Sequence, residues 1–270
     1  MCQNEDIIYG SDAQIALVRR ALALRRFFRD DPQMTFQGRT ISWLARGPEE
    51  AGIVIDLCRL QGYASAQFVA RTDSRSFQNA YEQAGLIPIE WDQFHGRDSA
   101  QKASAEFLAT YSPPEGLRLC SVTTNTPDDR IHALCQMSSE NGVLQPPGSV
   151  MRGDGPPGII LYVETDSGDV VATGGGFMAY HPQSDRRDEA FWGMLATAPS
   201  WRGHRLARWV GAAAIRELTH RFGARGFSSG VKPDNLASQA MCTRLGVTRS
   251  DRVYAGAIDP ELTGGGSPTR

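Results

Sequence analysis

The segment Met194-Leu-Ala-Thr-Ala-Pro-Ser-Trp-Arg-Gly-His-Arg-Leu-Ala207 restricts the fold more than any other stretch of the chain. A strand-like run, Glu189 to Thr197, stops at Pro199 and turns through Arg202-Gly203. It then opens directly into Leu206 to Phe222, where Leu206, Trp209, Val210, Ala213, Ala214 and Leu218 recur at helical spacing before Gly223. Backbone N–H groups in the first turn of a helix have no internal partners and carry partial positive charge, so a strand-loop-helix of this kind is a receptor for pyrophosphate. Arg202 and Arg205 add full charges beside it.

The surrounding sequence supplies a sheet for that strand. Strand-like runs at Leu117 to Thr123, Ile159 to Glu164 and Val170 to Tyr180 precede it, with Asp166-Ser-Gly168 as a hairpin turn, and predict an antiparallel meander. A helix from Asp128 to Asn141 and a Pro- and Gly-rich loop from Gln145 to Gly158 lie between the first two; that loop and Tyr180 to Asp188 are long enough to border a substrate site. Downstream come a strand at Gly226 to Val231, a helix at Leu236 to Leu245 ended by Gly246, and a last strand near Val253 to Ile258.

Tyr111-Ser-Pro-Pro-Glu-Gly116 is a turn-rich break, and it divides the chain into residues 1–113, residues 114–260 and a flexible tail, 261–270. The first part echoes the end of the second. Asp73 to Gly85 aligns without gaps on Asp234 to Gly246 at an offset of 161, and Gly62 falls on Gly223 at the same offset. Helix-then-glycine endings are common, so coincidence and a degenerate duplicated half-domain both account for this. At that offset the Arg202 to Ala207 loop falls on Ile41 to Arg46, which has no glycine before its helix, so the first part is not expected to bind the same anion.

Composition removes several classes of function. With 28 Lys and Arg against 30 Asp and Glu, net charge −2, there is no overall field to gather nucleic acid or an anionic membrane, and an anionic ligand must be held locally. No run of roughly 18 apolar residues and no basic-then-apolar start occurs, so neither a membrane span nor an export signal is expected. Five scattered cysteines, with no C-x-x-C pair, fit reduced thiols in a cytoplasm. Neither H-E-x-x-H nor G-x-S-x-G is present, so no metal and no serine nucleophile are expected.

The loop and the downstream helix together resemble the GCN5-related N-acetyltransferase (GNAT) superfamily. Its cofactor loop reads Arg/Gln-x-x-Gly-x-Gly/Ala between a strand and a helix, and here it is Arg202-Gly-His-Arg-Leu-Ala207, with Arg205 at the central glycine. The resemblance covers the C-terminal half and implies an α/β GNAT fold, a central mixed, mostly antiparallel sheet flanked by helices, with a partial GNAT-like domain before it. It implies acetyl-CoA, or another short acyl-CoA, as acyl donor. Leu195, Ala196 and Thr197 would lie along its thioester end, with Gly193 marking a bulge. Arg202, Gly203, His204, Arg205, Leu206 and Ala207 would hold its pyrophosphate, while Asn235, with Ser238 one turn on, would reach its pantetheine arm.

The resemblance also frames the catalytic candidates. The tyrosine that protonates the departing thiolate in many relatives is replaced by Cys242, a residue that packing alone would explain; Tyr254 on the last strand is the reserve. Glu189, on the same strand face as Phe191, is the candidate base, against the ordinary reading of an exposed strand-end carboxylate. The activity implied is direct acyl transfer to the amine of a small-molecule or amino-acid-like acceptor. The first part would cover the acceptor site or form a homodimer contact. The rivals are a non-catalytic acyl-CoA-binding module and a transferase whose acceptor is a protein or an aminoacyl-tRNA.

Overall fold

A computed structural model describes residues 6–264 and forms one ten-stranded sheet with helices on both faces. The first part of the chain contributes α1 (Asp12–Phe28), β1 (Met34–Phe36), β2 (Ile41–Trp43), α2 (Ala51–Gln61), β3 (Tyr63–Ala70), α3 (Ser74–Gln83), β4 (Ile87–Gly96) and α4 (Asp98–Thr110). The second contributes β5 (Leu117–Ser121), α5 (Asp128–Glu140), β6 (Gly158–Thr165), β7 (Val170–Phe177), β8 (Glu189–Thr197), α6 (Leu206–Phe222), β9 (Gly226–Val231), α7 (Leu236–Arg244), β10 (Thr248–Ile258) and α8 (Pro260–Thr263). The meander β5-β6-β7-β8 is antiparallel as expected, and β8 and β9 run parallel.

Alternation along the strands divides the core. Phe191 and Met194 face the layer of α2, α3 and α5, whereas Ala190 and Trp192 face that of α4 and α6. Trp192 is fully buried under α6 because Gly211 leaves room for its ring, and the indole N–H donates to the Gly211 carbonyl at 3.0 Å. One buried indole satisfied in this way ties β8 to the helix that follows it.

Strand order across the sheet is β1-β2-β3-β10-β4-β9-β8-β7-β6-β5. Strand β10, the last, lies between β3 and β4, and β4 lies between β10 and β9, so the two parts exchange their final strands. At the 161-residue offset β3, α3 and β4 fall on β9, α7 and β10. Val253 pairs with Asp92, two residues that are themselves 161 apart, which puts a local two-fold axis through that pair. The sheet therefore runs across the 113/114 division without interruption.

Pro260–Thr263 form a helical turn capped by Asp259 Oδ1; residues 265–270 of the expected tail lie outside the described residues. So does Cys2; Cys58, Cys120, Cys135 and Cys242 are free thiols. No described helix is long and apolar enough to cross a membrane, and no three described His, Cys, Asp or Glu side chains group as metal ligands.

Candidate active site

Strands β8 and β9 pair only at Glu189–Gly226, Ala190–Phe227 and Phe191–Ser228 and then part. The cause lies in β8. Between the Gly175–Gly193 and Thr173–Ala196 pairs the strand carries one residue more than β7, and this bulge places Gly193 at φ 151° and Met194 at φ 56°. The Met194 carbonyl accepts from Gln145 Nε2 at 3.1 Å, and the same amide nitrogen reaches Ser138 and Thr173, all three side chains buried. Gln145, read from sequence as part of a loop bordering substrate, instead holds the bulge open.

The gap is a cavity of about 140 Å³ that passes between the strands. On the α6/α7 side it is lined by Asn235, Ser238, Met241 and Cys242, successive residues on one face of α7. On the other side it is lined by Arg39, Tyr63 and Trp91 from the first part of the chain. Gly193, Met194 and Leu195 form the wall between the two mouths, facing Ser229 and Gly230. The Leu195 side chain packs against Gly174 and Gly211 beneath α6, so the β8 backbone forms this wall. The loops expected to border the acceptor lie elsewhere: His181, Pro182 and Arg187 line a separate cavity with Arg25 and Arg29.

Beyond the wall, β8 ends at Thr197, and the chain turns through Pro199–Trp201 into the predicted loop. Arg205 adopts φ 62°, ψ 20°, the left-handed conformation that the family's glycine takes at little cost, and it starts α6 with no side-chain cap on the helix. The amides of the first turn are thus free. The Tyr111 hydroxyl pins the loop by donating to the His204 carbonyl at 2.8 Å, while Arg202 donates to Asn141 Oδ1 at 2.9 Å. The Arg208 guanidinium, not singled out from sequence although it lies three residues after Arg205, has its proton affinity lowered by burial first, then by the charges of Arg244 and Arg205. An anion at this helix start would relieve that repulsion. Replacing Arg205 by glycine should stabilise the fold by about 1 kcal/mol, seen as a higher denaturant midpoint at unchanged slope.

The three catalytic candidates separate. Cys242 lines the cavity, but burial pushes its thiol up to about 12. Tyr254 also lines it, its ring against Gly230, where a Cβ would lie 2.9 Å from the ring. Its hydroxyl is buried near Ser228 and Tyr180 without a well-aligned hydrogen bond, and burial chiefly keeps it protonated far above the usual tyrosine range. Glu189 does not line the cavity. It is 5% exposed rather than an exposed strand end, and its carboxylate meets Arg186 at 3.1 Å, Arg97 at 3.4 Å and His95 at 3.4 Å. Burial works to raise its pKa, but the His95 interaction and the charges of Arg186, His95 and Arg97 outweigh it, so the group is held below the usual glutamate value.

In the first part of the chain, the segment at the offset of the loop is β2 and the turn after it. Here the Glu50 carboxylate accepts from the Arg46 amide at 3.1 Å and from the Trp43 indole at 2.8 Å. An internal carboxylate thus takes the backbone donor that a phosphate would need, and Glu49 adds a second negative charge.

A parallel strand pair split by a bulge and continued into an uncapped helix start beside Arg202, Arg205 and Arg208 is the arrangement that the sequence resemblance implied. Residues 129–247 match the model of the acetyltransferase (GNAT) family. Among solved structures, the chain is similar to a GCN5-related N-acetyltransferase from Kribbella flavida, at 15% identity over 93% of this chain and 96% of that one, TM-score 0.58. It is also similar to a tandem GNAT protein from the clavulanic acid biosynthesis pathway, at 17% identity over 77% and 67%, TM-score 0.54. A Drosophila protein gives 14% identity over 94% and 91%, TM-score 0.52. At these identities the likeness is one of fold. A search of the curated proteins gave no match. Residues 129–247 thus carry the resemblance to the GNAT acetyltransferase family that the cofactor loop implied.

Proposed function

We propose that the protein is an acyl-CoA-dependent N-acyltransferase, with acetyl-CoA as donor and a small amine as acceptor. The observation that carries this reading is the open gap between β8 and β9, bounded by the Gly193–Leu195 bulge and leading to the free amides after Arg205. The donor supplies an activated acyl group as a thioester. Arg202, Arg208 and the first-turn amides of α6 hold its pyrophosphate, while Asn235 and Ser238 on α7 line the path of the pantetheine arm. Asn235 Oδ1 is engaged by the Ser238 amide at 3.1 Å, which leaves the Asn235 side-chain N–H groups as donors.

The backbone of the bulge stabilises negative charge on the thioester oxygen as the amine attacks. Tyr254 rather than Cys242 gives a hydrogen bond to the departing sulfur, since its ring lines the cavity and its hydroxyl is kept protonated without a well-aligned partner. Glu189 is a positioning residue, tying the base of β8 to His95 and Arg97 of the first part. Residues 1–113 are read as a degenerate half-copy that forms the acceptor wall, with Glu50 standing against a second donor site.

One observation favours a second reading, a non-catalytic acyl-CoA-binding module: among the described residues no carboxylate lines the cavity. Thermal unfolding with and without acetyl-CoA, beside thiol release with an amine panel, tests both. Saturation at about 100 times Kd adds about 2.7 kcal/mol to the stability of a protein that binds only when folded. The expected result is a raised midpoint that Arg202→Glu removes. No shift at millimolar acetyl-CoA would end both readings, and a shift without thiol release would select the second.

A further inference from the structure

We infer that the acceptor carries a carboxylate as well as its amine, and that Arg39 is the residue that receives it. This rests on the N-acyltransferase reading and narrows its substrate class. Arg39 projects into the cavity from the segment between β1 and β2, on the mouth opposite α7, the side left for an acceptor when a thioester enters along α7.

Arg39 is only partly used by the protein. Its Nη1 donates to the Leu144 carbonyl at 2.7 Å, and its guanidinium lies 5.7 Å from the centre of the Phe191 ring. A guanidinium has five N–H donors in a fork suited to a planar carboxylate. Among the described residues no Asp or Glu pairs with it, and none lines the cavity, whose other cation is Lys232. Burial lowers its pKa, but only to about 10, so it is charged at neutral pH. A half-buried charge without a counter-ion is costly to maintain, and an arriving carboxylate removes that cost.

The position also suits the chemistry. Phe191 is the last residue of β8 paired with β9, and Gly193 to Leu195 follow within a few ~3.3 Å strand steps. A carboxylate on Arg39 would therefore leave the amine of a small amino acid close to the bulge. Tyr63 and Trp91, stacked with ring centres 6.1 Å apart, form the adjoining wall and would meet the rest of the acceptor.

The test uses the full chain saturated with acetyl-CoA. Thermal shift and thiol release are read for the common α- and β-amino acids, for their carboxamides and for the matching aminophosphonates. At least one carboxylate should bind and turn over with kcat/KM roughly 30-fold or more above its carboxamide, and Arg39→Met should remove that difference while Arg39→Lys keeps part of it. A retained acetyl-CoA shift in each variant shows that it is folded with its donor site intact. Carboxamides equal to acids, an aminophosphonate preferred to every acid, or an unchanged ratio in Arg39→Met would each overturn the inference and leave the transferase reading standing, while no ligand of any class would overturn the inference and leave the transferase reading to the wider amine panel. Loss of the acetyl-CoA shift in the wild type would remove both.

Discussion

Gly193→Val should reduce acyl transfer by roughly 10²- to 10³-fold, the loss that follows removal of one preorganised donor to a developing oxyanion. Gly193 sits at φ 151°, which side chains rarely adopt, and a Cβ there would lie 3.1 Å from Ser229 Oγ on the facing strand. Valine would push the backbone out of the bulge, and the pairing of β7 with β8 would shift by one residue. In the proposed reading only the acetyl group of the donor reaches this point, so the variant should bind acetyl-CoA no better than CoA, whereas the wild type should prefer acetyl-CoA. Calorimetric titration with both ligands measures that preference directly. A variant that keeps both the preference and the rate would show that the bulge takes no part in the chemistry.

Glu189→Gln should cost about 2–3 kcal/mol of stability. A buried carboxylate removed from its cations leaves charges uncompensated, at about 3–5 kcal/mol, discounted here because Arg186, Arg97 and His95 keep 32%, 44% and 26% of their side-chain exposure. The sign of the pH dependence follows from the lowered pKa. The ionised carboxylate contributes its full stability above the unfolded-chain value, about 4.3, and loses it as pH falls through the lower folded value. Denaturant midpoints from pH 7 down to pH 3 should therefore converge for wild type and variant. Activity measured well below the melting transition separates the roles: a positioning residue leaves kcat nearly intact, while a base would remove its acid limb from the pH–rate profile.

How much of this was legible in sequence depends on the range of the interactions involved. The meander, the helix starts and stops, the loop at Arg202 to Ala207 and the α7 face carrying Asn235, Ser238 and Cys242 are set by local periodicity and turn chemistry, and the observed elements follow them within a few residues. Even Gly193 was readable, because a glycine inside a strand marks a place where pairing is broken. Arg205 shows the limit of a motif: its side chain departs from the pattern, yet its backbone takes the conformation that the pattern encodes.

Arg39, Tyr63, Trp91 and Gln145 left no such mark. Each acts on residues far along the chain, and nothing local separates a cavity-facing arginine or glutamine from an ordinary one. The burial of Glu189 left no local mark for the same reason, since its cations His95 and Arg97 lie on β4 and just after it, about ninety residues away. The sequence alone determined the succession of elements and the anion-receptive turn, because both depend on backbone geometry within a dozen residues. Tertiary structure decided the exchange of β4 and β10, the seating of the first part against the gap, and which side chains face it. Those outcomes depend on long-range strand pairing and on which charges find partners once buried, and neither is written in any one segment.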